Sequence, residues 1–328
     1  MTSRVAITGA AGFIGSRVAA RRLDAGAAVL GIDDFDPFYP RAVKEAAVGP
    51  CIADPGFALW EGDVRDVDAL AAHLAAHRTD VVIHCAARAG VRASFADRSA
   101  YVERNVRGTA AVLEAARRTG VQRIVLASSS SVYGDAEPPF GEDEPLGRPQ
   151  SPYAATKQAD ERLCALFARR AGMRIAMLRF FSVYGPGQRP DQAIARFTAA
   201  LVHGGGIEQY GAATSARDYT HVDDVAAAVD AAAVWTGHGA PAARAFNVGT
   251  GCATPLGRII ALVAEARGGR VAVRRTAAQP GDVHRTQADV SRAAAELGWR
   301  ATITPEAGIP AYVHWYEVHH AGESRAAS

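Results

Sequence analysis

Three glycines, each three residues from the next, follow the first β-rich run of the chain and constrain its fold more than any other feature. The run Arg4–Thr8 leads into Gly9, Gly12 and Gly15, and helical spacing follows from Ile14 to Ala25. Glycines between a strand and a helix permit a tight turn, let the backbone approach a pyrophosphate and allow close helix–strand packing. The helix N-terminus adds free N–H groups and partial positive charge. The sequence therefore predicts a dinucleotide-phosphate site at Gly9, Gly12, Phe13, Ile14 and Gly15.

An acidic residue at the end of the next strand indicates which dinucleotide the chain binds. The run Val29–Ile32 is followed directly by Asp33. A carboxylate at this place can accept a hydrogen bond from a ribose 2′-hydroxyl and would repel a 2′-phosphate. We therefore predict NAD rather than NADP as the cofactor. The alternative is that the glycines form only a structural turn.

β-rich runs continue to alternate with helical stretches along the first half of the chain. Such runs occur at Val81–His84, Arg123–Ser128 and Arg174–Phe180. This alternation is typical of βαβ units, whose right-handed crossovers build a parallel sheet. We predict an α/β fold, a doubly wound parallel (Rossmann) sheet with a smaller α/β substrate-binding lobe. The predicted boundaries are 1–183 with about 222–248 for the NAD-binding domain, 184–221 and 249–320 for the lobe, and 321–328 for a flexible tail.

Composition excludes several classes of function. Lys and Arg total 36 against 34 Asp and Glu, so a formal net charge of +2 favours neither a nucleic acid nor a membrane surface as partner. No apolar run approaches the ~18 residues of a transmembrane helix, and we recognise no signal peptide. The four cysteines form no C-x-x-C pair and have no His partner at metal spacing, so we expect no metal site, free thiols and a cytoplasmic location.

Only two of the basic residues are lysines, and one of them follows a tyrosine by four positions. Tyr153 and Lys157 lie in a stretch that Ser151 can cap and that Pro152 can open as its first helical residue. At this spacing the phenol and the ammonium share one helix face, where an ammonium can stabilise a phenolate and contact a ribose. Tyrosine and lysine at this spacing are also common in helices that carry no chemistry. The other lysine, Lys44, has no such neighbours, and we expect it on the surface.

A serine at the end of another strand completes a set of catalytic groups. The strand Arg123–Ser128 runs into Ser129, at the sheet edge where α/β proteins bind ligands. The loop between Ser129 and Tyr153 is long enough to bring their hydroxyls together. We predict that Tyr153, as phenolate, takes the proton of a substrate hydroxyl, that Lys157 supports the phenolate and that Ser129 hydrogen-bonds the same oxygen. The carbon beneath would exchange hydride with the nicotinamide.

These features occur together in a known family of enzymes. From Val5 to about Tyr316 the chain resembles the extended short-chain dehydrogenase/reductases, specifically their NAD-dependent nucleotide-sugar epimerases and dehydratases. It looks most like the UDP-glucuronate 4-epimerases, and the resemblance implies a homodimer built on the helices after Ser99 and Ser151. The stretches that carry it are GIDDFDPFY at 31–39, AGVR at 89–92, RFFSVYGPGQRPD at 179–191, RDYTHVDD at 217–224 and QPGDV at 279–283.

The resemblance also implies roles for individual residues. It makes Ser129, Tyr153 and Lys157 the catalytic residues. Besides the glycine turn, Asp33 and the catalytic tyrosine and lysine, it implies cofactor contacts from Asp63, Val64, Ala86, Ala87 and Asn105. It implies substrate contacts from Arg217 and Asp282 to the UDP phosphates and ribose, and from Arg92, Ser130, Ser131, Ser182 and Arg189 around a sugar carboxylate. Arginines suit planar, bidentate contacts of this kind, but phosphate binding and surface charge are the alternatives.

Two serines bear on which reaction of the family the chain carries out. Ser130 and Ser131 stand where the related 4,6-dehydratases have Asp-Glu, and an epimerase needs neither acid. We predict NAD-dependent C4 epimerisation of a UDP-sugar, UDP-glucuronate to UDP-galacturonate, through a transient 4-keto intermediate. The alternatives are a C4-epimerase of a neutral or N-acetylated UDP-sugar, a nucleotide-sugar dehydratase or decarboxylase, and a non-catalytic NAD-sensing protein. Gln192, Ala212 and Ala213 depart from the subfamily pattern near the expected nucleotide pocket.

Overall fold

Strands and helices alternate along the chain as its pattern predicts. The computed structural model describes residues 3–269, 271–277, 281 and 283–320, so the predicted tail lies outside the described residues. The strands are β1 (Arg4–Thr8), β2 (Ala28–Asp33), β3 (Phe57–Glu61), β4 (Val81–His84), β5 (Arg123–Ser129), β6 (Arg174–Phe180), β7 (Ser182–Tyr184), β8 (Ile207–Tyr210), β9 (Ala216–His221), β10 (Ala242–Val248), β11 (Ala253–Pro255) and β12 (Val273–Thr276). The α-helices are α1 (Phe13–Asp24), α2 (Arg41–Ile52), α3 (Val67–His77), α4 (Ala93–Ala96), α5 (Arg98–Tyr101), α6 (Gly108–Thr119), α7 (Pro152–Ala171), α8 (Ala193–Val202), α9 (Val222–Trp235), α10 (Leu256–Ala266) and α11 (Pro305–His320).

A seven-stranded parallel sheet forms the centre of the molecule. Its order is β3-β2-β1-β4-β5-β6-β10, and each neighbouring pair is parallel. The direction of winding reverses between β1 and β4, and such a switch point opens a crevice at the carboxyl ends of the strands. The predicted doubly wound parallel sheet is therefore confirmed.

Helices cover both faces of this sheet. On one face Ile7 of β1 is buried with Val18 of α1 and Val229 of α9. On the other face Leu70 of α3 and Val112 of α6 are buried in a second cluster. Burial of each such side chain contributes about 1.5–3 kcal/mol. Packing on both faces therefore holds the strand ends, where ligand-binding residues lie, in fixed positions.

One stretch contains more structure than the sequence patterns indicated. They named no element between Asp33 and Asp63, where α2 and β3 lie. No side chain caps α2 at Pro40, and Pro50 stands inside its last turn, so neither end of the helix carries the usual signals. Packing of its buried face, rather than capping, holds this helix in place.

Smaller sheets and the remaining helices form the region predicted as a lobe. β7, β9 and β11 make a three-stranded sheet, and β8 pairs with β12. Phe197 of α8, Ile259 of α10 and Val313 of α11 share one buried cluster.

Between α5 and α6 the chain continues as a π-helical stretch, Val102–Arg107. Among the described residues, no helix is both long and apolar enough to span a membrane.

Candidate active site

A cleft of about 1090 Å³ opens at the carboxyl ends of the central strands and continues into the smaller lobe. Its wall combines the glycine turn, the ends of β2, β4 and β5, one face of α7 and residues of the lobe. Most residues predicted to bind cofactor or substrate lie in this wall, namely Gly9, Gly12, Phe13, Ile14, Gly15, Asp33, Asp63, Val64, Ala86, Ala87, Arg92, Ser129, Tyr153, Lys157, Ser182, Arg189 and Arg217. The fold thus brings together segments that are far apart in the sequence.

The glycine turn has a geometry that side chains would obstruct. Gly9 has a φ of +71°, and a Cβ there would lie 2.7 Å from the backbone nitrogen of Ala86. A Cβ on Gly15 would lie 2.0 Å from the carbonyl oxygen of Gly9. At the start of α1, Gly12 provides no side-chain cap. The first N–H groups of α1 therefore remain available to the cleft, and this fits the pyrophosphate of a dinucleotide.

Asp33 ends β2 in the cleft beside a buried lysine. Its carboxylate accepts hydrogen bonds from the backbone N–H groups of Ala11 at 3.0 Å and Phe35 at 2.8 Å. The Nζ of Lys44 lies 3.7 Å from Oδ1 of Asp33 and 5.0 Å from the ring centre of Tyr39. The expectation that Lys44 lies on the surface is wrong, because its side chain is only 7% exposed and forms part of the cleft wall. The helix α2, which no sequence pattern indicated, places it there.

A cluster of charges lies at the same end of the cleft. Arg104 forms ion pairs with Asp34, with Asp36 at 3.1 Å and with Asp63 at 3.6 Å. Burial opposes the charge of Asp63, but hydrogen bonds from Arg65 outweigh burial and hold the pKa of Asp63 below its usual value. Asp63 is therefore ionised at the place where the resemblance implies contact with adenine.

Asn105 supports the cleft wall from behind. It is fully buried, accepts a hydrogen bond from the backbone N–H of Arg88 at 2.8 Å and donates to the carbonyl of Arg88 at 3.0 Å. It also donates to the hydroxyl of Thr156 at 2.9 Å. These bonds fix the loop after β4, where Ala86 and Ala87 line the cleft. A direct contact between Asn105 and the cofactor stays a prediction.

The helix α7 brings the tyrosine and the lysine into the cleft. Its cap is the one that the sequence indicated, since Ser151 accepts a hydrogen bond from the N–H of Ala154 at 3.1 Å. Tyr153 and Lys157 follow one turn apart, and both line the cleft. The ring of Tyr101 packs edge-on against that of Tyr153, with centroids 6.2 Å apart. Capping and ring packing together fix the direction of the phenol.

The ammonium of Lys157 is buried between two acceptors. It donates to the carbonyl oxygen of Ala127 at 3.0 Å and to Asp160 at 3.2 Å. Burial lowers the pKa of Lys157, but the charges of Asp160 and Tyr153 outweigh burial, so the pKa lies above its usual value. Lys157 is therefore charged, as support of a phenolate requires. The sequence patterns did not single out Asp160.

The three consecutive serines at the end of β5 and just after it occupy different positions. Ser129 lines the cleft, and its Oγ accepts hydrogen bonds from the N–H of Ser131 at 3.1 Å and from the hydroxyl of Ser131 at 2.9 Å. Its own proton can therefore point toward a ligand. Ser130 and Ser131 begin a 3₁₀ turn and do not belong to the cleft wall of the described structure. Ser131 thus orients Ser129, and direct contact of Ser130 or Ser131 with substrate stays a prediction.

The three arginines predicted to bind substrate have different surroundings. Arg189 forms a bidentate ion pair with Asp191, with N–O distances of 2.9 and 2.8 Å. The guanidinium of Arg92 lies 4.6 Å from the ring centre of Tyr210. Arg217 enters the wall from β9. All three arginines therefore add positive charge to the cleft wall, Arg92 beside Tyr210 of β8 and Arg217 within β9 of the lobe.

Polar groups complete this end of the cleft. Ser182 lines it, whereas Asp282 lies outside the described residues. The side-chain carbonyls of Gln188 and Gln192 are buried and accept no hydrogen bond from any described residue. Both glutamines line the cleft, so a turn of either side chain would present its carbonyl oxygen to a ligand. The sequence marked Gln192 only as a departure from a pattern and did not mark Gln188.

Within the described ranges, no group of three or more His, Cys, Asp or Glu could hold a metal ion.

The chain is similar to known proteins over nearly its whole length. The model of the NAD dependent epimerase/dehydratase family matches residues 5–249. A UDP-glucuronate 4-epimerase of Thermodesulfobacterium geofontis is 36% identical over 94% of this chain and 94% of that protein. The crystal structure of UDP-glucuronic acid 4-epimerase from Bacillus cereus, in complex with UDP-glucuronic acid and NAD, has a TM-score of 0.90 at 31% identity and covers 96% of this chain and 99% of that chain. MoeE5 in complex with UDP-glucuronic acid and NAD has a TM-score of 0.85 at 36% identity, with 97% and 100% covered.

Proposed function

Because the chain belongs to the NAD dependent epimerase/dehydratase family, we propose that it is an NAD-dependent epimerase that interconverts UDP-glucuronate and UDP-galacturonate at C4. The observation that carries the proposal is that Ser129, Tyr153 and Lys157 line one cleft together with a glycine turn suited to a pyrophosphate. The similarity to two enzymes that act on UDP-glucuronate, over nearly the whole chain, supports the choice of substrate.

Each group of the cleft has its own part in this reaction. Gly9 and the start of α1 bind the pyrophosphate, and Asp33 binds the adenosine ribose. When bound, NAD supplies the reversible removal of a hydrogen with its two electrons from C4. Tyr153 takes the proton of the C4 hydroxyl and later returns it, while Lys157 stabilises the phenolate and Ser129 hydrogen-bonds the same oxygen. Rotation of the 4-keto sugar between the two half-reactions inverts the configuration.

The sugar carboxylate requires control, because a 4-keto uronate is a β-keto acid and loses CO₂ easily. We propose that Ser182 and Arg189, with Ser130 and Ser131, hold this carboxylate in an orientation that slows the loss. The ion pair with Asp191 supports the proposal, since it fixes the plane of the Arg189 guanidinium. Ser182→Ala and Arg189→Ala should release UDP-pentose. Variants that form no pentose and bind UDP-glucuronate as well as the unaltered protein would contradict this role.

A C4-epimerase of a neutral or N-acetylated UDP-sugar is the second candidate. The buried carbonyls of Gln188 and Gln192 favour it, because an amide can bond a sugar hydroxyl or an acetamido N–H. Arg189, already paired with Asp191, has fewer donors left for a substrate carboxylate. The two candidates therefore differ in which of these groups contacts the sugar.

One incubation distinguishes the candidates. The protein is mixed with UDP-glucuronate, UDP-N-acetylglucosamine or UDP-glucose, and the products are followed by NMR, with Tyr153→Phe as control. We expect UDP-galacturonate from UDP-glucuronate. Conversion of UDP-N-acetylglucosamine alone would establish the second candidate. Bound NAD without turnover of any nucleotide sugar would show a non-catalytic NAD-sensing protein.

We propose that the chain forms a homodimer through the helices after Ser99 and Ser151. Two apolar side chains on these helices support it, Val102, which is 51% exposed, and Leu166, which is 43% exposed. Light scattering after gel filtration should give twice the mass of 34.4 kDa. Leu166→Asp should shift the protein to a monomer, whereas Val234→Asp, at an apolar residue outside these helices, should not.

The predicted domain boundaries and compartment are proposed on similar grounds. The strands of the central sheet fall within 1–183 and 222–248, and the smaller sheets lie largely in the remaining segments. The four cysteines Cys51, Cys85, Cys164 and Cys252 are unpaired, which supports a reducing compartment such as the cytoplasm. Limited proteolysis would test the boundaries, and fractionation of cells would test the compartment.

A further inference from the structure

Lys157 is paired with a second buried charge that the reaction described above does not use. Asp160 follows it by three residues on α7, and its Oδ2 lies 3.2 Å from Nζ of Lys157. The side chain of Lys157 is 4% exposed and that of Asp160 is 0% exposed. A charge so completely removed from water loses its ionisation unless an opposite charge compensates it at hydrogen-bond distance. The geometry makes Asp160 the compensating charge.

The other titratable groups that face Lys157 do not supply this charge. Burial raises the pKa of Cys85 to about 12 and also raises the pKa of Cys164, so both remain thiols at neutral pH. Burial lowers the pKa of His84 to about 3, so its ring is neutral. Tyr153 is uncharged whenever it holds the proton of the reaction.

The neighbouring carboxylate, that of Glu161, pairs with other residues. Glu161 lies 2.8 Å from Arg179 and accepts a hydrogen bond from Ser128 at 2.6 Å. Among the described residues, Asp160 is therefore the one carboxylate that pairs with Lys157. Burial raises the pKa of Asp160 even though Lys157 and a hydrogen bond from Thr109 act to lower it, so burial of this carboxylate has a net cost. An aspartate held at such a cost is not explained by the stability of the helix alone.

We infer that Asp160 is a positioning residue for the proposed epimerisation, which keeps Lys157 charged and directed toward Tyr153 through both half-reactions. The inference rests on the proposed function, because it assigns the proton transfer to Tyr153 and the support of the phenolate to Lys157. An oxidised nicotinamide is itself a cation, and a second cation in the same cleft favours loss of the lysine proton. The fixed carboxylate offsets that effect from behind the cleft, without contact with the sugar.

The first test is the pH dependence of turnover in Asp160→Asn. Lys157 should lose its proton at lower pH, so the phenolate of Tyr153 loses its support. We therefore expect kcat to fall at least about tenfold and the acidic limb of kcat/KM to move up by about one pH unit. Asp160→Glu should restore much of the profile. Asp224→Asn is the matched control, because Asp224 is also buried but bonds Thr302 and Ile303 outside the cleft. Asp224→Asn should lose stability and keep the pH profile of the unaltered protein. A profile in Asp160→Asn equal to that of the unaltered protein overturns the inference.

The second test does not require turnover. Lys157→Met, Asp160→Asn and the double variant are compared by thermal unfolding. The double variant should unfold at a higher temperature than Lys157→Met, because it no longer buries a lone carboxylate. A double variant that unfolds at or below the melting temperature of Lys157→Met would show that burial of Asp160 does not depend on Lys157 and would overturn the inference. This comparison decides even where Asp160→Asn alone fails to fold.

A third measurement separates this inference from the proposed function. The ultraviolet titration of the protein minus that of Tyr153→Phe isolates phenolate formation at Tyr153. In Asp160→Asn this difference should move to higher pH, and an unmoved curve counts against the inference. If no UDP-sugar is converted but the curve moves, the proposed function fails and the positioning role of Asp160 stands.

Discussion

The ammonium of Lys44 lies 3.7 Å from the carboxylate of Asp33, and both side chains are buried beside the glycine turn. Asp33 also accepts two backbone N–H groups, from Ala11 and Phe35. The acid expected to bind a ribose is therefore held by one cation and two dipoles. This arrangement stabilises a buried anion and fixes the direction of its lone pairs.

Replacement of Lys44 by Met should weaken both the fold and NAD binding. Loss of one member of a buried pair costs about 3–5 kcal/mol when nothing else compensates. Because the two N–H groups remain, we expect about 1–3 kcal/mol, measured by denaturant unfolding, with a matching loss of NAD affinity in calorimetry. Arg41→Met is the control, since Arg41 lies on the same helix but forms exposed ion pairs. Equal losses in the two variants would contradict a special role of Lys44.

Replacement of Asp33 by Asn should change the choice of cofactor. The variant keeps Lys44 and loses the charge that repels a 2′-phosphate, so the preference for NAD over NADP should fall at least about tenfold. Titration with each dinucleotide measures it. Asp68→Asn, at an aspartate whose side chain is 91% exposed, serves as control and should keep the preference. An unchanged preference in Asp33→Asn would place the ribose elsewhere.

Replacement of Tyr153 by Phe should abolish most turnover and leave NAD binding intact. Loss of a positioned acid–base group costs a factor of about 10²–10⁴ in rate. The rate is measured by NMR of the UDP-sugar and the binding by calorimetry. Tyr312→Phe is the matched control, because the hydroxyl of Tyr312 is buried without a hydrogen-bond partner among the described residues. A comparable loss of rate in both variants would point to a general effect of losing a phenol.

Replacement of Gln192 by Met should stabilise the protein and weaken the sugar complex. A buried carbonyl without a partner costs about 1–3 kcal/mol, and methionine removes it. If a substrate group satisfies that carbonyl, KM should rise for the sugar that carries the group. Thr198→Val is the control, because it removes a buried hydroxyl that has no partner among the described residues and lies outside the cleft wall. It should raise stability and leave KM unchanged. Equal KM values in Gln192→Met and the unaltered protein would remove Gln192 from sugar recognition.

Stability should fall as the pH drops from 7 to 5, in part because of His84. Its ring is buried and bonds the hydroxyls of Thr8 at 2.7 Å and Thr109 at 3.1 Å, and burial lowers its pKa to about 3. The unfolded chain takes up the proton near pH 6.5 and the folded chain does not, so stability present above that pH is lost progressively below it, by about 2 kcal/mol at pH 5. Urea unfolding of His84→Asn at both pH values should show a smaller difference. His238→Asn, at an exposed histidine, should keep the full difference.

The parts of this protein that the sequence predicted are those encoded by local periodicity. A glycine at Gly9, an acid at Asp33 and a Tyr–Lys pair on α7 each follow from spacing within one turn or one strand, and the parallel sheet follows from the alternation of such units. Each of these sequence signals spans no more than about 20 residues, so it is recognisable without knowledge of the residues that pack against the segment.

Tertiary structure decided which of these groups are buried and what they contact. Lys44 carries no local sign of burial, because the helix that buries it has neither a capping side chain nor an uninterrupted end. Asp160 stands at a spacing from Lys157 that usually marks an exposed pair, and only packing of α7 against the sheet makes the pair a buried one. Ser130 and Ser131 follow Ser129 directly but begin a 3₁₀ turn outside the cleft wall of the described structure. The physical reason is that the free energy of a charge or a hydrogen bond depends on the surrounding dielectric and on partners distant in sequence, which spacing does not encode.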